Sequence, residues 1–170
     1  MDIKGEIEKY FMAEKQESLI FCLIGIAALL VAAGFFFFWK TNFSKGAAIP
    51  LLIIGLLQAI VGYAVFARSD EQRISNVYAA DMNPGKLSNE ELPRMRTVTK
   101  SFVVYRLVEI SFILAGILLV IIFNGPPSRS FFSGLGLSLA IQSLLMLGAD
   151  SLAAKRAGIY RKQLEIFLKK

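Results

Sequence analysis

The sequence predicts an all-α integral membrane protein: four transmembrane helices as two antiparallel hairpins in one bundle, with amphipathic cytoplasmic N- and C-terminal helices. Three observations predict it. Four stretches are long and apolar enough to cross a hydrocarbon core about 30 Å thick, which takes roughly 20 helical residues. Of the 170 residues, 55% are of the AVILMFWYC set and only 19% are charged, against about 25% charged in an ordinary globular chain. The basic residues, finally, are unevenly spread along the chain.

The expected spans are Ser18–Trp39, Gly46–Ala67, Ser101–Phe123 and Ser130–Ala153. The first two carry no charge. The first is read as a retained anchor rather than a cleaved signal, because its apolar run is too long and its flank mixes acids with lysines. The third contains Arg106 and Glu109. Its 16 Leu, Ile, Phe and Val residues contribute roughly −5 to −10 kcal/mol to insertion. Each charge costs at most about 3 kcal/mol on the same scale, so insertion is still favourable or near break-even. The fourth carries only Asp150, near its end. Pro50 is read as a first-turn proline of the second helix.

Orientation follows from Lys and Arg. Fifteen of the 19 lie in the N-terminal tail, in residues 68–100 and in the tail 154–170; Lys40, Lys45 and Arg129 lie in the other two loops. This asymmetry places both termini and the 68–100 loop in the cytoplasm of a plasma (bacterial inner) membrane. Attraction to anionic lipid accounts for the net charge of +6 without a nucleic-acid partner. The outer connections, Lys40–Lys45 and Asn124–Arg129, are short, and Asn124-Gly125-Pro126-Pro127 is a turn signal.

Beyond the spans, Ser69-x-x-Gln72 resembles a capping box. Ile74, Val77, Tyr78 and Met82 then share a helical face, which predicts a short interfacial helix ending at Asn83-Pro84-Gly85. Pro93 is expected in the first turn of the third helix. Ile3, Ile7 and Phe11 form an apolar stripe in the N-terminal tail, and Ala153, Ala157, Tyr160, Leu164 and Phe167 form one in the C-terminal tail. These stripes either rest on the interface and bundle end or dock a partner. Phe35–Phe38 and Trp39 are expected to anchor the outer interface.

Small and polar residues mark the expected helix seams, since close packing and polar contacts drive association in lipid. They are Gly25 with Ala28 and Ala32; Gly55, Gln58, Ala59 and Gly62; and Gly134, Ser138 and Gln142.

Chemistry is sparse. No histidine is present and Cys22 is the only cysteine, which excludes His-dependent triads, His-ligated metals and disulfide scaffolds. No cofactor or metal site is expected, and no enzyme. The ionisable set Arg106, Glu109 and Asp150 lies within the spans, where such groups are functional candidates by default. Arg106 is expected to contact Glu109, Asp150 or both, as an ion pair fixing register, as part of an ion, proton or substrate path, or as a direct contact to a partner. The expected function is non-catalytic binding of another membrane protein, as an accessory subunit or as an immunity protein against a membrane-inserting toxin. The alternative is an oligomeric channel or small transporter using the charged set. The expected partners are the bilayer and that second membrane protein, with a second copy of the chain as a further option and no nucleic acid.

Overall fold

The computed structural model describes residues 2–125 and 129–169. The described chain is helical nearly throughout. Four helices are each long and apolar enough to cross a membrane: α1, Ile3–Trp39; α2, Asn42–Met82; α3, Pro84–Phe123; and α4, Ser130–Leu168. At 1.5 Å per residue each is about 55–60 Å long, nearly twice the hydrocarbon thickness.

Local chemistry sets the ends. Asp2 caps α1, its carboxylate accepting from the Gly5 N–H at 3.0 Å. The last turn of α1, Phe35–Trp39, widens to a π-turn, and Lys40 takes a left-handed φ of 43°. A reciprocal Thr41–Ser44 capping box starts α2. Asn83 breaks it with ψ of 70° before Pro84, because the proline ring disfavours a helical residue ahead of it. Asn124 ends α3 in an extended conformation. The rest of the expected outer turn, Pro126 to Ser128, lies outside the described residues.

Several boundaries differ from expectation. α2 begins at Asn42, so Pro50 sits in its third turn; its missing N–H leaves the Gly46 carbonyl without the usual helical bond. α2 also continues unbroken to Met82, so no separate interfacial helix forms. Ser69 does not cap; its hydroxyl donates back to the Val65 carbonyl at 2.7 Å. α3 begins at Pro84, well before Pro93, and a π-turn at Leu87–Glu91 lies just ahead of that proline. The wide turn accommodates a residue that cannot donate to the preceding turn.

Glycine contacts give the helix directions. Gly25 meets Gly55 and Ala59, while Gly62 meets Ser18 and Cys22, so α1 and α2 run oppositely. Gly116 of α3 meets Gly136 and Ala140 of α4, and Arg161 reaches Thr99, so these two also run oppositely. α2 and α4 join the pairs, from Phe43 against Gly134 to Gln58 against Gln142.

The side-chain core sits at one end of the molecule, where both described termini gather. Ile7, Tyr10 and Phe11 of α1, Ala79 of α2, Leu87 and Met95 of α3, and Tyr160 and Leu164 of α4 are buried together there. The stripes of the two tails therefore cover one another and their neighbours, as continuations of α1 and α4. Elsewhere only 11–28% of each helix's most apolar window is buried. That leaves leucines, isoleucines and phenylalanines facing outward, the arrangement lipid solvates and water does not.

Candidate functional site

In the apolar half, the residues read as seams lie where backbones approach. A Cβ on Gly25 would come within 2.6 Å of the Gly55 carbonyl oxygen, and one on Gly62 within 2.7 Å of the Ser18 oxygen. Gly134 is tighter still against the Phe43 carbonyl. Ser138 is buried beside that contact. Three further glycines do the same work: Gly46 against Phe131, and Gly116 against Gly136. Between α2 and α4, the Gln142 amide donates to Gln58 Oε1 at 2.5 Å, with both residues buried.

The charged set divides. Glu109 is 3% exposed, and neither carboxylate oxygen has a hydrogen-bond partner among the described residues. Asp150 of α4 is an ionisable neighbour that acts on it electrostatically. Arg106 is exposed, forms no ion pair among the described residues, and acts on Glu109 only by longer-range attraction. The expected Arg106 pairing is thus not formed. The cause is position around the helix: three residues turn it by about 300°, so Glu109 is buried while Arg106 lies on the exposed face.

A second polar cluster lies beyond the apolar stretches. Tyr10 donates to Glu14 at 2.9 Å and stacks on Tyr160 with ring centroids 4.3 Å apart. Burial and the nearby Glu14 carboxylate push the Tyr10 hydroxyl well above its usual range; burial and Glu91 do the same to Tyr160. Arg94 donates twice to Glu91, at 2.7 and 2.8 Å, and lies over the Phe11 ring. Burial alone would lower Arg94, but the Glu91 carboxylate more than offsets it and holds the guanidinium charged. At the rim, Lys15 donates to Asp70 and holds its carboxyl below the usual range. Arg156 pairs with Glu17 and covers the Tyr10 ring at 5.5 Å.

Beside this cluster, between α2 and the start of α3, a cleft of about 340 Å³ opens. Arg68, Gln72 and Asn76 line it from α2, and Lys86, Glu90 and Arg94 from α3. Of these residues the sequence singles out only Gln72, as part of a capping box rather than a cleft. The available signal was Ser69, Gln72 and Asn76 recurring at helical spacing, a polar stripe opposite Ile74 and Tyr78.

Comparison with protein families, with curated proteins and with solved structures finds no match for this chain.

Proposed function

We propose that the chain is an integral membrane protein of two antiparallel helix hairpins, with its termini and the α2–α3 connection in the cytoplasm, and that it works without catalysis by binding another membrane protein. An accessory subunit and an immunity protein against a membrane-inserting toxin are the two forms this role takes. One observation carries the reading. Ile74, Tyr78 and Met82 recur at four-residue spacing on α2 and are 63%, 65% and 68% exposed. They stand about 10 to 20 Å beyond Ala67, the last residue of the apolar run, past the reach of hydrocarbon. Large apolar groups aligned outside lipid mark an interaction surface, and Glu8, Arg73 and Asp81 supply a polar border.

A photo-crosslinker placed at Tyr78, in native membranes, tests this. A discrete adduct with a different membrane protein, not obtained from lipid-facing Leu118, is expected. An adduct at twice the chain's own mass would replace the reading with self-association, and none at all would overturn it.

The channel or transporter reading rests on a different observation, the buried Glu109 carboxylate facing Asp150 with no hydrogen-bond donor. It requires solute or proton flux in proteoliposomes that Glu109→Gln abolishes.

A further inference from the structure

The cleft between α2 and α3 has two ends of different chemistry. It begins at Arg68, the first charged residue after the apolar run of α2, and closes where Lys86 Nζ donates to Ser75 at 2.7 Å. Its volume suits a small polar ligand. Two amide side chains on its wall are unsatisfied. Asn76 is 6% exposed and makes no hydrogen bond among the described residues. Gln72, one turn earlier, makes none either, and its Oε1 is shut from solvent. Buried polar groups are nearly always bonded, so the unpartnered Asn76 amide on the cleft wall points to a ligand.

The charges orient that ligand. Arg68 forms no ion pair among the described residues, whereas Arg94 is paired with Glu91. Glu71 and Glu90, exposed on the rim of the cleft, also have no ion pair among the described residues. An anion is favoured near Arg68 and a cation between the two acids.

We infer that the cleft binds a phosphoethanolamine head group, its phosphate on Arg68 and its ammonium between Glu71 and Glu90, bonded to Asn76. The inference rests on the reading that α2 crosses a membrane, which sets Arg68 at the depth of lipid phosphates. A primary ammonium brings three N–H donors to these acceptors. A choline head group brings none, and a glycerol head group leaves the two acids uncompensated. The same chemistry is offered by phosphatidylethanolamine and by soluble glycerophosphoethanolamine.

The test is native mass spectrometry of the full chain in detergent, with phosphatidylethanolamine, phosphatidylcholine and phosphatidylglycerol of identical acyl chains. Retention of the ethanolamine lipid over both others by about tenfold is expected, the ratio a single well-placed charged contact gives. Arg68→Ala should lower that retention by a similar factor, and Glu71→Gln with Glu90→Gln should abolish the preference over choline. Equal retention of all three lipids by the unmodified protein overturns the site, whether or not the variants fold. Unchanged retention in well-folded variants overturns it as well. Displacement of the lipid by glycerophosphoethanolamine supports a soluble head group as the source, and failure to displace supports the lipid. Release of the chain from membranes by alkaline carbonate would remove the membrane reading itself; retention there with no lipid preference would remove only the head-group site.

Discussion

Gln58 and Gln142 meet in the apolar half of the molecule, where water is not available to either amide. Truncating one leaves the other unsatisfied, while truncating both leaves only packing. Gln142→Leu should therefore destabilise the protein by about 0.6–2 kcal/mol, the range for interhelical hydrogen bonds in membranes, and adding Gln58→Leu should recover most of it. Unfolding in mixed micelles reads both. Equal losses in the single and double variants would show that the bond does not couple the helices. Arg106 is the contrasting case. It was legible in the sequence as an intramembrane charge, but its partner was not. Position along an axis gives the depth of a Cα and not which side of the helix meets its neighbour. Since Arg106 is exposed without an ion pair, Arg106→Gln should change stability by less than about 0.5 kcal/mol. A loss of several kcal/mol would mean that it does pair with Glu109 or Asp150.

At the scale of helices, glycine has two different roles here. A Cβ on Gly134 would meet the Phe43 carbonyl at less than any real contact distance, with the Ala47 nitrogen 3.2 Å away. Backbone cannot yield as a flexible side chain does, so α2 and α4 must separate. Gly134→Ala is expected to cost about 1–3 kcal/mol, as overpacking does. Gly158, further along the same helix, has open space around its would-be Cβ. Gly158→Ala should stabilise by about 0.5–1 kcal/mol through helix propensity alone. Thermal unfolding followed by circular dichroism checks both; stabilisation by Gly134→Ala would refute the close approach. The apolar stretches were readable because hydropathy over twenty residues is a strong signal. The full helix lengths were not. Charged residues after Ala67 and before Ser18 mark where the apolar runs stop, yet most of them sit on outer faces while Ile7, Phe11 and Ala79 continue the inner face. The cleft was hidden for a related reason. It depends on how segments 68–76 and 86–94 part around the π-turn at Leu87–Glu91, which periodicity does not report.

The whole molecule divides into an apolar half that offers most of its side chains outward and a second half with a conventional buried core. Only the second half can give the protein a cooperative response to aqueous conditions, and its centre is the Tyr10–Tyr160 stack. These tyrosines are 3% and 2% exposed, and their hydroxyls lie beside Glu14 and Glu91. Ionising either would bury a phenolate next to a carboxylate. In the unfolded chain a tyrosine loses its proton near pH 10; in the fold, burial and the adjacent acid hold that proton to higher pH. Above about pH 10 the folded state thus binds more protons than the unfolded one, and stability falls as pH rises. The contribution is complete below pH 10 and declines above it by about 1.4 kcal/mol per pH unit for each tyrosine. Alkaline unfolding should accordingly be steep, with helix loss and the tyrosinate absorbance of Tyr10 and Tyr160 rising together. Tyr10→Phe with Tyr160→Phe forfeits the bond to Glu14 and should start less stable at neutral pH, yet its stability should fall less steeply above pH 10. If the unmodified protein forms tyrosinate at both positions with its helix content unchanged, the stack is open to water and this half of the molecule is not a closed core.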